Sequence, residues 1–178
     1  MIDIIGIRPP CDLAVVRFRE RKPPERILVA TKGGPHAPLA LELAQRQAEI
    51  YQKDSGRPSL VTILTVLKPD ANGRETHQAQ TRLEKLVQNY QGQIEIKVVL
   101  KNDEYAAIME EANASDLVIV HAPAAGLLEQ RLFGSIPQRL AKECDQTVIM
   151  VKGHNPMQTS IMRWLGIQRN ALRESGKR

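Results

Sequence analysis

The sequence predicts an α/β protein built on a doubly wound, mostly parallel sheet of five strands. Three observations point there. Between residues 26 and 153, apolar runs of strand length recur between helical patterns in the order β-α-β-α-β-α-β-α-β. Most of these runs are apolar throughout rather than alternating, as a sheet covered on both faces requires. Every connection between successive runs carries a helical pattern, so right-handed crossovers wind the sheet in both directions from its middle.

The first strand is RILVAT (26–31), which follows the double proline Pro23-Pro24. APLALELAQRQAEIYQK (37–53) reads as a helix with Leu39, Leu43 and Ile50 among its apolar positions. SLVTILTVL (59–67) is β-branched through its middle and is the second strand. A second helix runs from about Arg74 to Tyr90 with Leu83, Leu86, Val87 and Tyr90 on one face, and Gly92 supplies its stop. IEIKVVL (94–100) alternates at its start, as a strand nearer a sheet edge does. DEYAAIMEEANA (103–114) is a third helix with Ile108, Met109 and Ala112 inward and an acidic first turn that suits the helix dipole. DLVIVHAP (116–123) is the fourth strand. A fourth helix begins near Ser135 and ends near Cys144, with Pro137 in its first turn, where a missing N–H costs little. QTVIMVKG (146–153) is the fifth strand. With no later strand to cover it, its outer edge is a pairing site.

Two segments lie outside this frame. Residues 1–25 are an extension or linker holding a short strand-like piece, DLAVVRF. Its Leu13, Val15 and Phe18 are too many apolar groups to leave in water, so it is expected to dock on the sheet or on a partner subunit. Residues 154–178 hold an amphipathic helical pattern with Ile161, Trp164 and Leu165 among basic residues. Such a segment packs on its own domain or a partner, or lies on an anionic membrane through Trp164 and Arg163.

A chain of 178 residues is long enough for one domain with a substantial core plus these extensions. It is 42% hydrophobic and 25% charged, the balance of a soluble globular protein, while 3% aromatic residues leave little base-stacking surface for RNA. No nucleic-acid partner is therefore expected. The net charge of +5 is concentrated in RFRERKPPER and MRWLGIQRNALRESGKR, which leaves the central domain closer to neutral. Cys11 and Cys144 form no metal spacing and no disulfide framework, and Cys144 reads as a small buried hydrophobe. No stretch approaches the roughly 20 apolar residues of a membrane span. The opening MIDIIGIRPPCD lacks the features of a signal peptide, so the cytoplasm is the expected compartment.

In such sheets ligands sit beyond the carboxyl ends of the strands, where strand order reverses. Two loops qualify, TKGGPHAP (31–38) and HAPAAGLLEQRLFGS (121–135). Backbone N–H groups around Gly134-Ser135, with the Ser135 hydroxyl, can receive a phosphate at a helix start. The same two residues serve equally as a turn glycine and a helix N-cap. Lys32 is either a point charge for anionic oxygens or a solvated lysine on a glycine loop. Gly33 and Gly34 serve the tight turn. His36 and His121 flank the cleft as pH-sensitive contacts but have no metal partner at ligand spacing, so no metal is expected. Arg131 is a second anion contact or a surface arginine. No nucleophile elbow, Walker sequence or paired acidic metal motif occurs, and Asp103-Glu104 and Glu110-Glu111 read as helix-start and solvent-face charges.

ILVATKGGPHAPLALELA, YAAIMEEANASDLVIV and GLLEQRLFGSIPQRLAKECDQTVIMVKG together make residues 26–153 resemble a universal stress protein domain. The resemblance implies a five-stranded parallel, Rossmann-like sheet of the adenine nucleotide alpha hydrolase kind and a dimer formed through the last strand. That dimer would use antiparallel pairing of Thr147, Val148, Ile149, Met150 and Val151. In the family's nucleotide-binding branch an aspartate ends the first strand, and G-x-x-G-(nine residues)-G-[ST] follows the fourth. Laid on this chain, the final pair falls on Gly134-Ser135 and matches; the earlier glycines fall on His121 and Ala124, and the aspartate on Lys32. The resemblance implies a non-enzymatic regulatory module. ATP, another adenine nucleotide or another small anionic ligand is expected at Lys32, Gly33, Gly34, His121, Ala124, Arg131, Gly134 and Ser135. A ligand-free dimerisation module and a slow ATP hydrolase are the alternatives. KGGPHAPLALELA resembles versions of the domain attached to membrane transporters, which makes a transporter at the inner face of a membrane the expected partner.

Overall fold

A computed structural model describes residues 11–19, 23–121 and 135–154. Among these residues the strands are β1 (Leu13–Arg17), β2 (Arg26–Ala30), β3 (Leu60–Leu67), β4 (Gln93–Leu100), β5 (Leu117–His121) and β6 (Thr147–Lys152). The helices are α1 (Ala37–Ser55), α2 (Gly73–Val87), α3 (Glu104–Asn113) and α4 (Ser135–Glu143). The sheet order is β1-β6-β5-β2-β3-β4. Strands β2 to β6 run parallel to one another, as expected, with β4 at an edge.

The continuous apolar strands divide their side chains between two cores. Leu28, Leu64, Val118, Val148 and Met150 face α3 and α4, where they meet Ile108, Ala112, Leu140 and Cys144. The alternate residues Ile27, Val29, Ile63, Ile119 and Val151 face α1 and α2, where they meet Ala40, Leu41, Ala44 and Leu83. Both faces are thus dry, the physical reason these strands need no polar alternation. Helix α2 opens on a capping box between Asn72 and Glu75. It ends at Val87, before the expected Tyr90, because the Tyr90 N–H turns back to the Val87 carbonyl at 2.8 Å and so tightens the chain into Gly92. The Tyr90 hydroxyl is buried and, among the described residues, has no hydrogen-bond partner. Burial and the nearby Glu49 carboxylate push its pKa up to about 12.

The sheet has a sixth strand. DLAVVRF docks as β1, antiparallel to β6, in a register from Leu13↔Lys152 to Arg17↔Val148. This corrects the expected dimer interface. The outer edge of Thr147, Val148, Ile149, Met150 and Val151, expected to be open to a second subunit, is taken by the chain's own N-terminal segment. Three interactions explain the choice. Val15 packs on the α3/α4 core. The Arg17 guanidinium donates to the carbonyls of Cys144 at 2.9 Å and Lys142 at 3.1 Å, at the end of α4. The Arg19 N–H donates to Thr147 Oγ1 at 3.1 Å. As an inner strand, β6 is buried along its whole length.

Candidate functional site at the carboxyl ends of the strands

From β2 the chain winds outward through β3 to β4, then returns to β5 on the other side of β2 and continues to β6. The reversal falls between β2 and β5, so the carboxyl ends of these strands, at Ala30 and His121, mark the switch point of the sheet. Thr31 is the knot of this end. Its N–H donates to the Leu64 carbonyl at 2.9 Å, and its carbonyl accepts the Thr65 hydroxyl. Its Oγ1 accepts the Gly33 N–H at 2.9 Å and lies 2.7 Å from His121 Nε2. The chain then turns through Gly33 (φ +82°) and Gly34 (φ +95°) into α1. Glycine is required at both, since a left-handed φ strains any residue with a Cβ.

Lys32 does not stand free for an anion. Its Nζ lies 2.6 Å from Glu104 Oε2 at the start of α3. The pair is largely exposed, the lysine side chain at 60%, so it is worth about 1 kcal/mol or less. Arg82, from the middle of α2, reaches over the loop and donates to the Lys32 carbonyl at 2.9 Å. Its side chain lies where a Gly33 Cβ would be, 2.5 Å from that point. Neither Thr31 nor Arg82 was singled out by the sequence. A hydroxyl ending an otherwise apolar strand is the signal that marks Thr31; for Arg82 no local signal exists. Beside Lys32 an open cavity of about 750 Å³ lies between the starts of α2 and α3, with Leu67, Asn72, Arg82, Lys101 and Glu104 in its wall. This is the size of small-ligand sites.

On the other side of the loop, His36 and His121 are brought together with ring centroids 6.4 Å apart. His36 stands at the N-cap of α1 but leaves the helix N–H groups alone; its Nδ1 accepts the Gly153 N–H at 3.1 Å. A backbone N–H can only donate, so Nδ1 is unprotonated and a neutral His36 carries its proton on Nε2. Next to it the His154 N–H donates to Asp12 Oδ1 at 2.6 Å. Burial holds the His36 pKa below its ordinary value of 6.5, helped by the positive potential of His121 and Lys152 and opposed by Asp12. Lys152, also buried, is pushed down by the same desolvation. Because the folded protein binds this proton less readily than the unfolded chain, the His36 contribution to stability is complete above about pH 6.5 and is lost as pH falls below it. The unfolding temperature should therefore fall from about pH 7 to about pH 5 in the native protein. His36→Gln, whose amide oxygen can still accept from Gly153, should show less of this slope. Equal slopes would remove His36 as the cause.

Of the expected contacts, the structure brings Lys32, Gly33, Gly34, His36 and His121 to one end of the sheet, beside Thr31. Ala124, Arg131 and Gly134 lie outside the described residues, as does the side chain of Ser135, whose backbone starts α4. Ile161, Trp164 and Leu165 also lie outside them. Among the described residues no group of His, Cys, Asp and Glu side chains is placed to hold a metal ion, and no helix is long and apolar enough to cross a membrane.

Residues 24–152 match the family model described as "Universal stress protein family". The fold is similar to that of a universal stress protein from Archaeoglobus fulgidus. The TM-score is 0.59 at 17% identity, over 71% of this chain and 98% of that one. A structure of the universal stress protein from the same organism in complex with dAMP gives 0.57 at 16% identity, over 71% and 97%. A universal stress protein in complex with cAMP gives 0.50 at 19% identity, over 72% and 97%. Curated proteins contain no match to the chain.

Proposed function

The chain belongs to the universal stress protein family, and from that premise we propose that it is a non-enzymatic regulatory module whose switch-point end takes an adenine nucleotide or a related anionic ligand. The observation that carries this reading is the cavity beside Lys32. It is of ligand size, sits at the carboxyl ends of the strands, and has Lys32, Lys68, Arg82 and Lys101 in its wall. The dAMP and cAMP complexes of similarly folded universal stress proteins support an adenine nucleotide as the ligand. Binding would exchange the Lys32–Glu104 pair for a Lys32–phosphate pair and so release the start of α3. This exchange supplies the difference between free and bound states that any ligand-driven change requires. The wording KGGPHAPLALELA supports a membrane transporter as the partner that reads the change.

The test is calorimetry of ATP, ADP, AMP and cyclic adenine nucleotides, with and without magnesium, at two salt concentrations. Binding through a partly exposed lysine should weaken with salt and depend little on magnesium. Lys32→Asp should weaken it most. Ser135→Ala should weaken it less, by about 1 kcal/mol, since the backbone donors around it remain. The Lys32–Glu104 pair favours one other reading, a ligand-free module in which the lysine is already satisfied. Absence of binding below millimolar concentration, together with no nucleotide carried through purification, would decide for that reading.

A further inference from the structure

With β6 covered, the sheet formed by the described residues has two edges, β1 and β4. β4 is the longer, eight residues against five, and it pairs with β3 without interruption from Gln93 to Leu100. The Lys101 N–H donates to the Leu67 carbonyl at 2.9 Å, which fixes the direction of every backbone group in the strand. Lys101 faces β3, and by alternation so do Val99, Lys97 and Glu95. Ile94, Ile96 and Val98 turn their N–H and C=O groups outward. An open groove of about 840 Å³ runs beside this edge, with Thr76 and His77 of α2 on one side and Ile96 and Val98 on the other.

We propose that this edge joins two copies of the chain by antiparallel pairing about a two-fold axis at Ile96, making one sheet continuous through both subunits. That register sets Ile96 against its own counterpart and Ile94 against Val98 of the second copy, so that each outward N–H and C=O meets one of the opposite kind. It also sets Glu95 against Lys97 of the second copy on both sides of the axis, at the positions where side chains of an antiparallel pair come closest. The neighbouring registers of the same parity centre on Glu95 or on Lys97 and oppose like charges. Registers of the other parity set outward groups against inward ones. Charge and hydrogen-bond direction thus favour this alignment over its neighbours. Both charges reach the surface, with the Glu95 and Lys97 side chains 46% and 33% exposed. Within one copy Lys97 Nζ lies 2.9 Å from Glu111 and 3.7 Å from Glu95, so the dimer would add a further carboxylate neighbour to a lysine already paired in its own chain.

Sedimentation of the full chain across the micromolar range should show a dimer, with the amides of Ile94, Ile96 and Val98 protected from hydrogen exchange and losing protection on dilution. Glu95→Lys, which sets lysine against lysine at both pairs, should weaken the dimer about tenfold while leaving the fold intact. Mixing the Glu95→Lys and Lys97→Glu proteins should restore association as a heterodimer, since one copy then offers two positive charges and the other two negative. A monomer throughout, a Glu95→Lys dimer as tight as the native one, or a dimer whose Ile94, Ile96 and Val98 amides stay unprotected would overturn the proposal.

Discussion

Removing residues 1–19 is expected to lower the unfolding temperature and to drive the protein into assemblies that grow with concentration. β1 contributes its ladder to β6, the packing of Val15 and the Arg17 bonds to the Cys144 and Lys142 carbonyls. Together these are worth about 2–4 kcal/mol, or a fall of roughly 5–15 °C for a domain of this size. The larger consequence is at the bared edge. Six residues buried in the native sheet become an apolar strand with unpaired backbone groups, which is a template for another chain. The antiparallel pairing through Thr147–Val151 that the sequence led us to expect would then be open. Light scattering against concentration checks this. A synthetic peptide of residues 11–19 in excess should reverse the growth by strand addition. A truncated protein that stays monodisperse with an unchanged unfolding temperature would show that β1 does not close this edge.

Gly33→Ala is expected to destabilise the protein by about 2–3 kcal/mol, well beyond Gly34→Ala at about 1 kcal/mol. Both glycines have a left-handed φ, +82° and +95°, so both substitutions carry the same backbone strain. They differ in what the new methyl group meets. At Gly34 nothing lies within 4 Å; at Gly33 the methyl would stand 2.5 Å from Arg82 Cδ. Arg82 cannot move aside without giving up its bond to the Lys32 carbonyl. Arg82→Ala in the Gly33→Ala background should return the excess, and thermal unfolding of the four proteins measures it. Equal losses at Gly33 and Gly34 would mean that Arg82 does not clamp this loop.

The parallel sheet was legible because its signal is local. Each strand declares itself by a continuous apolar run, and IEIKVVL declared its edge position by alternating. That DLAVVRF would dock was legible from Leu13, Val15 and Phe18. Where it would dock was not, because the choice rests on Arg17 reaching carbonyls at Lys142 and Cys144. The burden of apolar groups was also overstated, since Phe18 remains 76% exposed. The site divides in the same way. Loop glycines and the flanking histidines could be read from their positions. The state of Lys32 could not, since it depends on Glu104 and Arg82, separated from it by 72 and 50 residues. Asp103-Glu104 was read as a pair of helix-start charges. Asp103 is one, with its carboxylate accepting the Ala106 N–H at 3.0 Å; Glu104 turns instead to the lysine.

The contact between the His154 N–H and Asp12 Oδ1 joins residues 142 positions apart. Asp12 and His154 therefore lie at one corner, beside His36. Ends cut at these two residues could be joined by a short linker and reopened elsewhere, so a chain of residues 12–154 is suited to circular permutation. The same closeness makes them a cassette that can be spliced into a single surface loop of a host protein, because the two ends ask no more of the host than an ordinary turn does.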